Sequence, residues 1–381
     1  MVNSTLFILL LRLFVGIEMP NETATSTMTK TNAAVIAAPD ASEATNKQEV
    51  RILHIGDSHI QADLFTGEVR RLLREYLRDT MPQRGFVFPF SVAATNNPLD
   101  YKSTSTGSWT TLKSTDVLAM DAFGINGIVL KTADRTATIS FKLKNEKSRF
   151  NRVRILYTST SGIKPRIAGN FTVIKTFDNK DSDFIDFILD TKADSITMSL
   201  AGRTDGEFRV HGLLLEDMQS AFAYNVVGLN GASTTSFLRC DNLATQIKSI
   251  NPTHVIISLG TNDAYSTAFS PQDLKVNLEK LIEKVRIAAP FATLVLTTPG
   301  DFMAKGRKTT PSPKIAAEII TTVAANTQCA VWDFFNQMGG EGSIEGWYHR
   351  GLASPDRLHL SKEGYKVQGR MFFEWLTAVN S

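Results

Sequence analysis

Five short apolar runs constrain this chain more than anything else in it. VRILHIG (50–56), AYNVVG (223–228), THVIISLG (253–260), ATLVLTTPG (292–300) and CAVWDFF (329–335) each have the length of one buried strand, and the segments between the last four have helical character. After the first run, Val69, Leu72, Leu73, Tyr76 and Leu77 recur at the spacing of an amphipathic helix. A second helix is legible residue by residue. Ser270 is suited to cap it, Pro271 to its first position and Asp273 to its positive end, while Leu274, Leu278, Leu281, Ile282 and Val285 line one face. Strands alternating with helices predict an α/β fold with a mainly parallel sheet covered on both faces. Ligands of such sheets bind at the carboxyl ends of the strands.

Between residues 91 and 215 the texture changes. ATISFKLKN, RVRILYTST, NFTVIKTF, DFIDFILD, SITMSLAG and EFRVHGLLLE are short β-type runs divided by Gly, Asn, Asp and Lys, with no helical stretch between them. That spacing predicts an all-β sandwich inserted into the α/β domain. The expected division is 48–90 for the first part of the core, 91–215 for the insert and 216–381 for the second part of the core. Residues 1–47 read as a signal-like segment and flexible leader. STLFILLLRLFVGI (4–17) has the length of a signal-peptide core and is too short, with Arg12 inside it, for a stable membrane span. The Thr-, Ala-, Asn- and Ser-rich stretch that follows suits a tether lying outside the fold. Export to the periplasm or cell envelope is the expectation.

Composition excludes several functions. A 43% hydrophobic content over 381 residues rules out a disordered chain. The formal charge of +3 comes from 41 basic and 38 acidic residues scattered without a stripe, so no nucleic-acid partner is expected. The two cysteines, Cys240 and Cys329, form no CxxC, and the six histidines form no HExxH, so neither metal nor cofactor is expected. No heptad pattern or long exposed apolar stripe is evident, and a monomer is the default.

Polar or glycine residues gather at four expected strand ends. GDSH (56–59) offers Ser58 as a hydroxyl nucleophile, or else is a strand-to-helix turn capped by Asp57 or Ser58. In GLNGAS (228–233), Gly228 and Gly231 can turn a backbone N–H toward a developing oxyanion, although Asn-Gly is also a common turn. Asn262 in LGTNDAY (259–265) offers a side-chain amide for the same charge, or belongs to an Asn-Asp turn. In SPDRLHLSKEGY (354–365), Asp356 and His359 are spaced so that the carboxylate can hold one ring nitrogen while the other faces a serine. His59 adjoins Ser58, but adjacent side chains on a tight turn diverge, so its expected role is packing.

In this order GDSH, GLNG, GTND and DRLH resemble the four blocks of the SGNH, or GDSL-type, hydrolase superfamily. The resemblance spans about 48–90 and 216–381. It implies a flavodoxin-like three-layer core with Ser58 as nucleophile, His359 as general base and acid, and Asp356 orienting the histidine. It also implies an oxyanion hole made by the N–H groups of Ser58 and Gly231 with the Asn262 side chain. His59 stands where the usual leucine would. The absence of GxSxG around Ser58 argues against an α/β-hydrolase.

A long β-rich insertion ahead of the second block and the late GLASPDRLH look like the bacterial peptidoglycan O-acetylesterases, which carry an inserted carbohydrate-binding-like β-sandwich. That resemblance implies a serine esterase removing O-acetyl groups from muramic acid in cell-wall glycan. The alternatives are an acetylesterase on xylan or an exopolysaccharide, and a noncatalytic glycan-binding protein with a vestigial hydrolase core. Trp109, Phe171 and Phe177 of the insert either stack on sugar or pack in its core. RGFVFPF (84–90) either lines the pocket mouth or packs at the domain junction.

Overall fold

The computed structural model describes residues 35–37 and 49–377, apart from 82, 145–147, 161, 180–183, 203–204 and 306–307. The signal-like run lies outside the described residues.

The chain opens with β1 (Val50–Gly56), α1 (Ser58–Gln61) and α2 (Leu64–Tyr76). A long β region follows: β2 (Gly85–Val87), β3 (Tyr101–Thr106), β4 (Thr110–Lys113), β5 (Ile128–Thr132), β6 (Thr138–Leu143), β7 (Phe150–Ser159), β8 (Lys164–Ala168), β9 (Val173–Asn179), β10 (Phe184–Ala193), β11 (Ser195–Ala201) and β12 (Phe208–Glu216). Alternation then resumes with β13 (Phe222–Gly228), α3 (Thr234–Leu238), α4 (Leu243–Ile250), β14 (His254–Ser258), α5 (Thr261–Tyr265), α6 (Pro271–Ala288) and β15 (Thr293–Thr297). The chain closes with α7 (Ser312–Asn326), β16 (Ala330–Trp332), α8 (Phe334–Met338), α9 (Ser343–His349) and α10 (Lys362–Thr377).

The core sheet is parallel in the order β13-β1-β14-β15-β16, which is the flavodoxin-like order with β1 inside. Strand pleat divides its side chains between two helical layers. Ile52, Ile256 and Val295 join α2 and α10 residues in one buried cluster, while Leu53, Ile55, Val255, Ile257, Leu294 and Leu296 join residues of α4, α6 and α7 in another. This is a flavodoxin-like three-layer core, as expected. The capped helix is α6, where the Ser270 hydroxyl accepts from Asp273 N–H at 3.2 Å and the five expected residues are buried.

The inserted β domain consists of two antiparallel sheets, β4-β5-β12-β7-β10-β9 and β3-β6-β11-β8, whose inner faces share one buried cluster. It reaches further back than residue 91, because Gly85–Val87 pairs antiparallel with Leu213–Leu215 of β12. Phe86, Phe88 and Phe90 are buried there, so RGFVFPF packs at the junction. Trp109 and Phe171 pack partly buried against the core, whereas Phe177 is 46% exposed with the Lys175 ammonium 4.4 Å from its ring.

The stretch after the apolar N-terminal run was expected to lie wholly outside the fold, and two of its residues do not. Val35 and Ile36 are buried, with Val35 C=O accepting from His254 Nε2 at 2.8 Å and Ile36 N–H donating to Leu376 C=O at 3.1 Å. Two apolar side chains repay docking even in a polar tether. Both cysteines are buried and free.

Candidate active site

The site is assembled on loops at the carboxyl end of the core sheet. Ser58 is the first residue of α1, at a strand-to-helix turn capped by Asp57, which accepts from His59 N–H at 3.0 Å. A one-turn helix is marginal by itself, and this one is held from below by a close fit. A Cβ on Gly228, at the end of β13, would come within 2.6 Å of the Gln61 backbone, so only glycine lets α1 lie against the sheet. Gly231 has φ +78°, a left-handed conformation that favours glycine, and a Cβ there would meet nothing within 4 Å. The two glycines differ in kind: Gly228 makes room for α1, and Gly231 lies on the open turn.

From Ser58 a hydrogen-bonded chain leads outward. Ser58 Oγ is 2.9 Å from His359 Nε2, and His359 Nδ1 is 2.8 Å from Asp356 Oδ2. Burial pushes the Asp356 carboxyl up, but the His359 ring and the N–H groups of Leu358 and His359 hold it below its ordinary range. An ionised Asp356 only accepts, so His359 carries its proton on Nδ1 and leaves Nε2 to accept from the serine hydroxyl. The geometry is that of a nucleophile, a base and an orienting acid.

The three candidate oxyanion donors lie at this end of the sheet. Among the described residues neither the Ser58 N–H nor the Gly231 N–H meets an acceptor. Asn262, in α5, donates from Nδ2 to Ala232 C=O at 2.9 Å, with Asp57 Oδ2 at 3.4 Å. These contacts fix the amide between the first two sequence blocks.

Several supporting residues were not anticipated. Buried Gln61 accepts from Asn230 N–H at 2.6 Å and donates to Thr95 Oγ1 and Asn96 C=O at 3.0 and 2.8 Å, tying the second block to α1 and to the insert. Asp263 accepts from the Thr234 hydroxyl at 2.6 Å and so fastens α5 to α3. His59 turns away from Ser58 and bonds Tyr365 Oη through Nδ1 at 3.1 Å, its ring 5.2 Å from that of His359. Burial pushes His59 down to about 3. A neutral His59 packs beside His359 without opposing a positive charge there. His54, by contrast, is a satisfied core residue between Tyr224 Oη at 2.8 Å and Ser258 Oγ at 2.6 Å.

Burial pushes Asp57 up to about 6 from an ordinary 3.8, against the opposing hydrogen bonds from His59 N–H and the Thr261 hydroxyl. A carboxyl raised in the folded state favours folding at low pH and loses that contribution as pH rises through its folded value. Asp57→Asn keeps the cap acceptor and removes the buried charge, but turns the long contact to Asn262 into a meeting of two donors. The variant is therefore expected to match the wild type near pH 4 and to gain up to about 3 kcal/mol above pH 6. Urea unfolding at both pH values checks this, and a pH-independent difference contradicts it.

Residues 194–367 match the GDSL-like lipase/acylhydrolase family. The chain carries a GDSL-like lipase/acylhydrolase domain. As an acylhydrolase it is a carboxylic ester hydrolase. The matched span opens one residue before β11 and takes in the second, third and fourth blocks, whereas Ser58 lies ahead of it, beyond the insertion. Among solved structures, a peptidoglycan O-acetylesterase aligns over 87% of this chain and 91% of its own, with TM-score 0.69 and 20% identity. A lipase/acylhydrolase from Enterococcus faecalis aligns over 41% of this chain and 75% of its own (TM-score 0.34, 22% identity). An acetylxylan esterase from Geobacillus stearothermophilus aligns over 41% and 74% (TM-score 0.33, 18% identity). No curated protein matches the chain.

Proposed function

We propose that this acylhydrolase removes O-acetyl groups from cell-wall glycan, as an exported peptidoglycan O-acetylesterase working through an acyl-serine. The observation that carries the reading is the continuous chain Ser58 Oγ, His359 Nε2, His359 Nδ1, Asp356 Oδ2, with links of 2.9 and 2.8 Å. His359 takes the Ser58 proton as the hydroxyl attacks the acetyl carbonyl, and Asp356 steadies the imidazolium that forms. The N–H groups of Ser58 and Gly231 and the Asn262 amide receive the oxyanion. His359 returns the proton to the departing sugar oxygen, then activates the water that frees acetate. The apolar run at 4–17 supports export, and the peptidoglycan O-acetylesterase that shares the fold over both the core and the insert supports the glycan class.

The test is acetate release from O-acetylated peptidoglycan beside acetylated xylan and p-nitrophenyl esters of increasing chain length. Release from peptidoglycan at the highest kcat/KM is expected. Activity confined to xylan or small esters keeps the serine chemistry and overturns the cell-wall substrate.

The oxyanion assignment has its own consequence. Asn262→Ala removes a donor aimed at charge that develops only in the transition state, so kcat is expected to fall about 10²- to 10³-fold with KM little changed. Steady-state kinetics on a soluble acetyl ester checks it. A rise in KM at constant kcat means that the amide holds ground-state substrate instead.

A further inference from the structure

Between α2 and the inserted β domain lies a cleft of about 340 Å³, which begins at Ala62, four residues past the nucleophile, and reaches Arg74 and Arg84. Its charges are unevenly matched. Asp63 accepts both η nitrogens of Arg70 at 2.8 and 2.9 Å and one of Arg84 at 3.0 Å. Asp100, from the insert, has Oδ2 at 2.6 Å from Arg84 Nε. Arg70 and Arg84 are thereby neutralised.

Arg74 is paired more loosely, with the buried carboxyl of Asp79. One η nitrogen donates to Gln83 C=O at 3.1 Å, and Nε is 3.8 Å from Asp79 Oδ2, beyond hydrogen-bond range. Nε is buried without an acceptor among the described residues, although the side chain as a whole is 20% exposed. Burial and the neighbouring Arg70 charge pull its pKa below the ordinary value, against the attraction of Asp79 and Asp100. A half-buried guanidinium that repels its neighbour and lines an open cleft is a place for an anion from outside. Lys366, on α10, also lines the wall, paired with Glu363 at 2.8 Å.

We propose that this cleft binds a carboxylate of an acidic glycan through Arg74, holding the polymer so that an acetyl ester farther along it reaches Ser58. The inference rests on the glycan-esterase reading and narrows its substrate to an acidic chain. From Leu64 to Arg74 is about 15 Å along the helix axis, so the ligand must be an oligomer and a single sugar cannot occupy both places. The carboxylate belongs either to the sugar or to a peptide attached to it.

The test uses the full chain with Arg74→Gln and Arg74→Lys. Calorimetry measures binding of de-O-acetylated peptidoglycan oligomers, with the stem peptides present or removed by an amidase, and kinetics compares acetate release from the O-acetylated forms with hydrolysis of p-nitrophenyl acetate. Arg74→Gln is expected to weaken oligomer binding about tenfold or more and to lower the preference for acidic glycan over the small ester by a similar factor, with partial recovery in Arg74→Lys. If amidating the stem-peptide carboxylates abolishes the effect, the carboxylate is on the peptide; if the effect appears only after the amidase has freed a carboxylate on the sugar, it is on the sugar. Wild-type binding by Arg74→Gln, or a parallel fall on both substrates, overturns the proposal. Arg74-dependent binding without acetate release leaves the cleft and sinks the esterase substrate. Acetate release insensitive to Arg74 does the reverse.

Discussion

Ser58→Ala is expected to lower kcat on acyl esters by about 10⁴- to 10⁶-fold while leaving the unfolding midpoint within about 0.5 kcal/mol of the wild type. Both halves follow from the same geometry. Among the described residues the hydroxyl has one partner, His359 Nε2 at 2.9 Å, and that imidazole keeps its own anchor in Asp356 at 2.8 Å when the serine is gone. Alanine is also a good helix former, so α1 loses nothing locally. The N–H groups and the Asn262 amide proposed as the oxyanion hole are untouched, so a residual acceleration over water is expected. Single-turnover acetate release, with a stability measurement on the same preparation, checks both halves. Undiminished acetate release contradicts the serine mechanism, and an unaltered biological effect without any acetate release by the wild type favours a glycan-binding protein.

Arg84→Ala is expected to destabilise the fold by about 3–5 kcal/mol. The Arg84 side chain is 4% exposed and links Asp63 of the core to Asp100 of the insert, with an η nitrogen also donating to Phe86 C=O at 3.1 Å and the guanidinium 5.2 Å from the Tyr101 ring centre. Truncation leaves Asp63 with Arg70 alone and Asp100 with an η nitrogen of Arg70 at 3.9 Å. The loss comes from stranded carboxylates more than from the missing attraction. Arg84→Ala combined with Asp100→Ala is therefore expected to recover part of the loss. Urea denaturation of the two variants measures this, and equal stability of Arg84→Ala and the wild type refutes it.

How much of this was readable beforehand depends on where a residue's partners lie. The α6 face was legible because cap, proline and apolar spacing are local signals. The four blocks stood out because glycine and polar residues directly after a buried strand have no packing role. CAVWDFF misled at its end, since Asp333 caps α8 by accepting from Asn336 N–H at 3.2 Å, and Phe334 and Phe335 are helical; a short apolar run fits either period. The strands Tyr101–Thr106 and Thr110–Lys113 went unread because they are polar and largely exposed. Gln61 and Tyr365 carried no signal at all, for their partners Asn230 and His59 are 169 and 306 residues away. Ser58 and His359 are 301 apart, yet each announced itself through its own neighbours.

The position of β1 bears on how the molecule is made. Its partners β13 and β14 both follow the insert, and Val50 pairs with Phe222 and Ile52 with His254. During synthesis from the amino end, the strand that becomes the middle of the sheet waits with both edges unpaired until the β domain and then the second half of the core have emerged. Such long-range pairing makes folding slow and exposes a sticky strand meanwhile. β2 and β12 join the two ends of the insert, so once folded it brings β1 and β13 together across one closed unit. Ser58 and His359 lie 301 residues apart, so their hydrogen bond forms only once nearly the whole chain has been made.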